Sequence, residues 1–238
     1  MARRMDAPVL SIVMLAYDEE ENVGPVVGEL FGWLDARGID AELIVVDDGS
    51  RDGTGDAARR ALEGRRGTVL RHETNRGMGA GLKTGFSAAR AEWVTFLPAD
   101  GQIPPDAVGT LWDARDGADV VLSVYDHRDD GALRTVLSFG VRALITAVHG
   151  VRLKSDGPYL IRRALFDPDQ LAPDTFFLNF ELPIRVLAAG LSVHTVTVAC
   201  RPRRAGVSKS ASFGRAFGVA KDLFAMRGRA VRELRRRW

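Results

Sequence analysis

Short apolar runs alternate with longer amphipathic stretches through the first half of the chain. The runs are nearly continuous in Val, Ile and Leu and are bounded by turn residues, which is typical of β-strands buried on both faces. The intervening stretches have the apolar spacing of helices that cover a sheet. The predicted strands are Val9–Leu15, Glu42–Asp47, Thr68–His72, Glu92–Leu97 and Asp119–Val124, and the predicted helices are Glu20–Arg37, Gly53–Glu63, Gly77–Arg90 and Pro104–Arg115.

This alternation predicts an α/β fold with a mainly parallel central sheet and helices on both faces. No Ser-, Gly- or Pro-rich linker divides the chain, so we predict a single domain at residues 1–210, followed by a tail of different pattern at residues 211–238. The second half of the domain is less regular. Its predicted elements are a helix at Leu133–Val148, a short strand near Tyr159–Ile161, a helix at Asn179–Ala189 and a strand at Ser192–Ala199.

The tail has the pattern of a basic amphipathic helix. A large apolar residue recurs at every seventh position from Phe217 to Trp238. Residues 201–238 contain 12 Lys and Arg but only 2 Asp and Glu, whereas the net charge of the whole chain is +2. Two arrangements fit: the apolar stripe docks on the protein body, or residues 213–238 lie on an anionic membrane surface. Nucleic acid is not expected as a partner, because regularly placed stacking aromatics are missing outside the stripe.

Composition narrows the class of protein further. The 238 residues are 46% hydrophobic and 27% charged, as in globular proteins, and no run approaches the ~18 apolar residues of a membrane-spanning helix. Residues 1–8 lack the apolar core of a signal peptide. The single cysteine, Cys200, cannot form an internal disulfide. These features predict a cytoplasmic protein, peripheral on the inner face of the cell membrane if the tail binds lipid.

Acidic residues directly follow two of the predicted strands. Asp47 and Asp48 follow the second strand, and Asp100 follows the fourth, with Gln102 two residues later. In open α/β sheets ligands bind beyond the carboxyl ends of the strands, and Asp100 and Gln102 would point to the same side of an extended segment. Carboxylate and amide oxygens suit Mg²⁺ or Mn²⁺ carrying phosphates, so we predict a nucleotide–metal site. The structural alternative is a turn in which Ser50 caps the next helix.

Two further stretches are candidates for the same site. After the first strand, the ring of Tyr17 can stack on a base, and Glu19 can accept a hydrogen bond from a base or ribose; alternatively, the acidic residues here favour the start of the next helix. The glycine-rich run 75–85 matches neither the phosphate-binding P-loop nor G-x-G-x-x-G. Its glycines allow close approach of a ligand or tight helix packing. For its two cations, Arg76 and Lys83, two arrangements are expected: they face a pyrophosphate, or they are exposed to solvent.

Five motifs in chain order resemble those of the family-2 glycosyltransferases of GT-A fold, and among them the dolichyl- or polyprenyl-phosphate mannosyl- and glucosyltransferases. The resemblance covers about Val9–Ser210. The chain departs from the family pattern at Pro98, where an aspartate is usual, and at Leu15 and Asp18, where proline and asparagine are usual. The motifs are Tyr17 with Glu19, Asp48-Gly49-Ser50, Asn75-Arg76-Gly77-Met78-Gly79, Ala99-Asp100-Gly101-Gln102, and Arg203-Arg204-Ala205-Gly206-Val207-Ser208-Lys209.

The resemblance implies roles for individual residues. The nucleoside pocket would be lined by Leu15, Tyr17, Glu19, Val46 and Asp48, with Ala99 against the nucleotide. The implied ligands of Mg²⁺ or Mn²⁺ are Asp100 and Gln102. The residues that would face the phosphates of donor and acceptor are Arg203 and Lys209. The predicted catalytic residues are Asp100, Arg203, Lys209 and Glu181.

By the same resemblance, the predicted reaction is an inverting, metal-dependent transfer of a hexose from a nucleotide diphosphate sugar, of GDP-mannose or UDP-glucose type, to a polyprenyl phosphate. The oxygen of such an acceptor is already anionic and needs no general base. The alternative is transfer to a hydroxyl of a small molecule or saccharide, which needs a carboxylate base, Glu181 or Asp156. Glu181 is equally expected to be an ion-pair partner of Arg185, four residues later. A non-catalytic nucleotide-sugar-binding module is a third alternative.

Overall fold

The computed structural model describes residues 7–126, 140, 142–155, 157–171, 174, 177–204, 221–223 and 225–226. Within them the strands are β1 Leu10–Ala16, β2 Ala41–Asp47, β3 Gly67–Arg71, β4 Trp93–Pro98, β5 Val120–Tyr125, β6 Leu160–Arg162 and β7 Val193–Val198. They form one sheet in the order β3-β2-β1-β4-β6-β5-β7. Neighbouring strands are parallel except β6, which is antiparallel to both β4 and β5. The predicted mainly parallel sheet is confirmed.

Helices lie between the strands along the chain. They are α1 Glu20–Arg37, α2 Thr54–Ala61, α3 Met78–Ala88, α4 Pro105–Asp113, α5 at residues 142–149 and α6 Leu178–Ala188, and a short 3₁₀ helix that was not predicted spans Arg163–Leu165. The predicted order of strands and helices is confirmed within the described residues. Of the predicted helix Leu133–Val148, residues 140 and 142–148 are helical, whereas residues 133–139 and 141 lie outside the described residues.

The strands are apolar at successive positions because helices cover both faces of the sheet. In β1, Ile12 and Met14 belong to one core cluster with residues of α1, α2 and α4. Val13, between them, belongs to a second cluster with residues of α3, α5 and α6. All three side chains are fully buried. Since successive side chains of a strand point to opposite faces, both clusters need apolar residues from the same strand.

The register of the parallel strands brings three loops to the same edge of the sheet. Leu15 in β1 pairs with Val46 in β2 on one side and with Pro98 in β4 on the other. The carboxyl ends of these three strands are therefore level, and the residues that follow them meet beyond the sheet. This is the edge at which open α/β sheets bind ligands.

Part of the tail packs on the domain. Leu223 and Met226 are buried in the core cluster that contains α5, and the Nε2 of His149 donates to the Leu223 carbonyl at 3.2 Å. These contacts agree with the docking alternative for this segment. The heptad positions from Phe217 to Trp238 lie outside the described residues, and the domain boundary at residue 210 stays a prediction. None of the helices in the described parts of the chain is long and apolar enough to span a membrane.

A buried carboxylate ties β1, β2 and the segment after α3 together at the opposite edge. Glu42 is 4% exposed and accepts hydrogen bonds from Ser11 Oγ at 2.6 Å and from the Arg90 N–H and Nε, both at 2.8 Å. Ser11 Oγ in turn accepts from the Ala91 N–H at 3.0 Å. Burial raises the pKa of Glu42, but the hydrogen bonds from Ser11 and Arg90 outweigh burial and hold this pKa below its ordinary value.

We expect Glu42→Ala to lower the free energy of unfolding by about 2 kcal/mol, because it leaves buried donors without their charged acceptor. Urea denaturation at pH 7 measures the change. Glu92→Ala is the matched control, since Glu92 is 67% exposed and pairs with Arg162 at the surface, where a pair contributes at most about 1 kcal/mol. The folded pKa of Glu42 is depressed, so its contribution is complete above the unfolded pKa of about 4.3 and is lost as the pH falls through the lower folded value. Equal losses in the two variants, or a loss that does not shrink in acid, would contradict this role.

Candidate functional site

Three loops meet beyond the level ends of β1, β2 and β4. Their backbones are joined, since the Ala99 N–H donates to the Leu15 carbonyl and the Asp48 N–H to the Ala16 carbonyl, both at 2.9 Å. Ala99 is buried and Leu15 is half-buried. Val46, also predicted to line the nucleoside pocket, is fully buried inside β2. Its place in the nucleoside pocket stays a prediction.

The Asp48 carboxylate is held by three donors of the chain. Its Oδ1 accepts from His72 Nδ1 at 2.7 Å and from the Arg76 N–H at 2.9 Å, and its Oδ2 accepts from the Gly77 N–H at 2.8 Å. The side chain is 12% exposed. These bonds stabilise the anion, fix its orientation and connect the loop after β2 to the glycine-rich run.

Two glycines permit close approach of neighbouring segments. Gly49 has a φ of +72°, and a Cβ there would lie 2.4 Å from the Thr74 carbonyl carbon. Only glycine accommodates both the conformation and the contact. In the glycine-rich run, a Cβ on Gly85 would lie 2.3 Å from Val13 Cγ1, so α3 packs directly on β1. The alternative in which this run serves tight helix packing is thus confirmed at Gly85.

The loop after β1 is fixed by side chains from the loop after β2. Ser50 Oγ accepts from the Asp18 N–H at 2.9 Å, and the Asp18 carboxylate accepts from the Arg51 N–H at 2.8 Å and from its guanidinium at 2.9 Å. The predicted turn is present, since Asp47 Oδ1 accepts from the Ser50 N–H at 2.9 Å, but Ser50 does not cap α2, which begins without a side-chain cap. Neither Asp18 nor Glu19 caps α1 by a side-chain hydrogen bond. Tyr17 is half-buried, with the Arg51 guanidinium carbon 6.0 Å from the centre of its ring.

A half-buried arginine joins two of these loops. Arg203, in the segment after β7, donates to a carboxylate oxygen of Glu19, and its Nη1 lies 3.8 Å from Asp100 Oδ2. Glu19 also accepts from Asn22 Nδ2 at 2.7 Å. The side chains of Arg203, Glu19 and Asp100 are only 15%, 10% and 13% exposed. Burial lowers the pKa of the Arg203 guanidinium, and the two carboxylates compensate its charge.

Glu29 of α1 anchors the segment that carries this arginine. Its carboxylate accepts from the two Nη atoms of Arg201 at 2.8 and 2.7 Å and from Arg204. The hydrogen bonds from Arg201 are the main reason that the pKa of Glu29 is lowered. The backbone of the same segment pairs with the loop after β4, through the Arg201 N–H to the Gln102 carbonyl at 2.9 Å and the Arg204 N–H to the Asp100 carbonyl at 3.3 Å. The segment after β7 is thereby held against the predicted metal ligands.

The predicted metal ligands lie in a turn. An extended segment at Asp100 and Gln102 was predicted, but residues 99–101 turn back, with Gly101 at a φ of +73°, and Asp100 Oδ1 accepts from the Gln102 N–H at 3.0 Å. The described residues include no group of three or more His, Cys, Asp or Glu that could hold a metal. One carboxylate and one amide oxygen fit a hard cation that takes its other ligands from a diphosphate and water.

The two cations of the glycine-rich run contact one carboxylate. Arg76 Nη2 lies 2.9 Å and Lys83 Nζ 3.1 Å from the carboxylate of Asp174. Burial raises the pKa of Asp174, but hydrogen bonds from Lys83 and Arg76 outweigh burial and hold the pKa below its ordinary value. Both cations are paired with Asp174, although Arg76 is still 53% exposed, and their contact with a pyrophosphate stays a prediction.

The remaining predicted residues lie elsewhere or outside the described residues. Glu181 is in α6 and fully buried, and its Oε1 accepts from Arg185 Nε at 3.0 Å and Nη2 at 2.9 Å. The predicted pair with Arg185 is confirmed, whereas the catalytic role of Glu181 stays a prediction. Lys209 and Asp156 lie outside the described residues.

A histidine that contacts Asp48 was not predicted as part of the site. His72 follows β3, is 8% exposed, and lies between Asp48 and Thr84 Oγ1, the latter 2.9 Å from its Nε2. The pattern predicted His72 only as the end of a strand. The available signal was its position, because a polar aromatic residue at the carboxyl end of a buried strand belongs to the ligand-binding edge.

Solved structures similar to this chain include glucosyl-3-phosphoglycerate synthase from Mycobacterium tuberculosis. Its complex with phosphoglyceric acid has a TM-score of 0.72 at 23% identity, covering 93% of this chain and 80% of that one. Its complex with Mn²⁺, UDP-glucose and phosphoglyceric acid has a TM-score of 0.68 at 23% identity, covering 92% and 78%. This likeness confirms the predicted GT-A fold.

Similar curated proteins include undecaprenyl-phosphate 4-deoxy-4-formamido-L-arabinose transferases. That of Pseudomonas paraeruginosa (strain DSM 24068 / PA7) is 31% identical over 210 residues, which are 84% of this chain and 60% of that protein. That of Shewanella sediminis (strain HAW-EB3) is 30% identical over 160 residues, 66% of this chain and 48% of that protein. The chain therefore spans about half the length of the curated relatives it matches.

The family itself is shown by a match over most of the domain. Residues 11–179 match the sequence model described as glycosyl transferase family 2. The match includes four of the five motifs on which the resemblance was based, from Tyr17 to Gln102. This chain belongs to glycosyl transferase family 2.

Proposed function

We propose that this chain is a metal-dependent glycosyltransferase that transfers a hexose, with inversion, from a nucleotide diphosphate sugar to a polyprenyl phosphate. The observation that carries the proposal is the convergence of Asp48, Asp100 and Arg203 at the level ends of β1, β2 and β4. Undecaprenyl phosphate, named as the acceptor of the curated relatives, supports this class of acceptor. The sugar those names give is a formamido-arabinose, so the hexose rests on the motif resemblance alone.

The nucleoside end of the donor fits the loop after β2. The Asp48 carboxylate is an acceptor that three N–H groups stabilise as an anion. Its Oδ2 accepts one hydrogen bond from the chain and has acceptor capacity for another. Such an atom suits a base that presents an N–H donor, as uracil and guanine do. This supports a donor of UDP or GDP type, with Tyr17 nearby as a stacking surface.

The diphosphate end fits the loops after β4 and β7. Asp100 and Gln102 would hold Mg²⁺ or Mn²⁺, which when bound offsets the negative charge of the leaving diphosphate. Arg203, 3.8 Å from Asp100, brings a guanidinium to the same place and can donate to two phosphate oxygens at once. Lys209 is expected to contribute a further positive charge. Such preorganised charge lowers the barrier to departure of the diphosphate.

A phosphate acceptor and a hydroxyl acceptor differ in whether they need a general base. A phosphate oxygen is anionic at neutral pH and attacks the sugar carbon without losing a proton. Two carboxylates were predicted as bases for a hydroxyl acceptor. Asp156 lies outside the described residues, and Glu181 is fully buried and accepts two hydrogen bonds from Arg185. This supports a structural role for Glu181 and an acceptor that is already ionised.

We expect the wild type to bind UDP or GDP with Mn²⁺, and Asp100→Asn to weaken this binding at least about 10-fold, since a charged contact is lost. Titration calorimetry with Mn²⁺ and with EDTA measures the effect. Asparagine keeps an oxygen to accept from the Gln102 N–H, so the turn is preserved. Asp116→Asn is the control, because that carboxylate lies at the surface, 89% exposed. Unchanged metal-dependent binding by Asp100→Asn would rule out the metal role.

We expect Glu181→Gln to transfer sugar to a polyprenyl phosphate at nearly the wild-type rate. Loss of a general base costs about 10²–10⁴ in rate, so a reaction in which Glu181 deprotonates a hydroxyl acceptor would slow by that factor. Radiolabelled transfer under saturating donor measures kcat, and thermal unfolding checks that the variant is folded. Glutamine retains an oxygen that accepts from Arg185. A 100-fold loss of kcat in a fully folded variant would favour the hydroxyl acceptor.

We expect the full chain to float with vesicles that contain anionic lipid at about 0.1 M salt and to be released at about 1 M, where the Debye length falls to about 3 Å. Each Lys or Arg near an anionic surface contributes about 1 kcal/mol, and residues 213–238 hold 8 of them. Vesicles of phosphatidylcholine alone are the control. A protein that stays in the soluble fraction with both lipids would contradict peripheral membrane association.

A further inference from the structure

His72 connects three elements at the site. Its N–H donates to the Asp47 carbonyl at 2.9 Å, which extends the pairing of β2 with β3 by one residue. Its ring is buried and reaches the Asp48 carboxylate on one side and Thr84, in α3, on the other. The imidazole of His72 thus holds together the loop after β2, the end of β3 and α3, the helix that begins within the glycine-rich run.

The contacts of the ring determine which nitrogen carries the proton. An ionised carboxylate can only accept a hydrogen bond, so Nδ1 of His72, 2.7 Å from Asp48 Oδ1, must be the donor. In the neutral ring Nε2 is then an acceptor, and the Thr84 hydroxyl, 2.9 Å away, can donate to it. Thr84 therefore holds the ring in the orientation and tautomer that serve Asp48.

The orientation of the His72 ring determines which oxygen of the Asp48 carboxylate can meet a ligand. Oδ1 of Asp48 is occupied by His72 Nδ1 and the Arg76 N–H, whereas Oδ2 accepts from the Gly77 N–H. The two donors on Oδ1 prevent rotation of the carboxylate about its Cβ–Cγ bond. Oδ2 is consequently the oxygen with acceptor capacity to offer to a ligand, and its direction is set by the histidine.

We propose that His72 is a positioning residue for nucleotide binding, acting through Asp48. The proposal rests on the proposed function, in which Asp48 accepts a hydrogen bond from the nucleobase of the donor. His72 does not contact the nucleotide. It orients the Asp48 carboxylate by donating a hydrogen bond to Oδ1.

Two substitutions of His72 distinguish the roles of its two ring nitrogens. The amide nitrogen of His72→Asn lies near the position of Nδ1 and can still donate to Asp48, whereas that of His72→Gln lies near Nε2 and reaches toward Thr84. We expect His72→Gln to raise the Kd for UDP or GDP with Mn²⁺ at least about 10-fold, and His72→Asn to raise it much less. The donor KM should rise with the Kd while kcat stays unchanged, because nucleoside binding is shared by ground and transition states. His194→Gln is the control, since His194 is on the exposed strand β7 and its ring contacts the Ala114 carbonyl.

A measurement on the wild type keeps the test independent of how the variants fold. Two-bond ¹H–¹⁵N spectra distinguish the tautomers of the 4 histidines, and comparison with His72→Asn identifies the signal of His72. We expect the Nδ1–H tautomer at His72. An Nε2–H tautomer, wild-type affinity in His72→Gln, or equal losses in the Asn and Gln variants would overturn the proposal. A wild type that binds neither UDP nor GDP is a different failure, that of the proposed function, and would overturn both.

Discussion

Helices on both faces of the sheet confine charged side chains to the ends of the strands. A polar group in the middle of a doubly covered strand would be buried without water, and each such group is costly unless it is hydrogen-bonded. The carboxylates of β2 and of the loops after β2 and β4 follow this constraint. Glu42 lies at the amino edge, where Ser11 and Arg90 satisfy it, and Asp48 and Asp100 lie at the carboxyl edge. The first set stabilises the fold, and the second forms the candidate site.

At the carboxyl edge, the requirement that buried charges be paired assembles loops that are distant in sequence. Arg203 reaches Glu19 across 184 residues, and Arg201 reaches Glu29 across 172. A largely enclosed arginine without carboxylates would be unfavourable, so these pairs hold the segment after β7 on α1 and on the loops after β1 and β4. The candidate phosphate-binding arginine is therefore placed by the same interactions that close this edge of the domain.

Local patterns in the sequence predicted most strands and helices. They did not predict which strands pair, because that depends on residues distant in the sequence. Strands buried on both faces leave continuous apolar runs, so β1, β2 and β4 and the helices between them were predicted. The strand at Tyr159–Ile161 was also predicted, but its antiparallel place between β4 and β5 depends on pairs such as Leu160 with Thr95, which leave no periodic signal. The turn at residues 99–101 escaped prediction because it depends on the φ of a single glycine.

In the candidate site, too, some residues were predicted from local motifs and others depended on long-range contacts. Glu19, Asp48, Asp100 and Arg203 were predicted through motifs in chain order, and the structure brings all four to one edge. The residues that orient them were missed, since a side-chain pair such as His72 with Asp48 or Glu29 with Arg201 joins segments whose neighbourhood only the fold creates. Motifs identify groups that meet a ligand, whereas groups that hold those groups in place carry no motif of their own.

The pairing of Arg203 with Glu19 bears on how a diphosphate would enter the proposed site. A guanidinium has five N–H donors, so Arg203 can turn toward a phosphate without leaving both carboxylates at once. Glu19 keeps its hydrogen bond from Asn22 and, as an acceptor, suits the hydroxyl groups of a ribose. Binding would then exchange one charge-assisted hydrogen bond for another, which costs far less than stripping a buried carboxylate of its partner, about 3–5 kcal/mol. The ion pair therefore holds the segment after β7 in place without preventing Arg203 from meeting a phosphate.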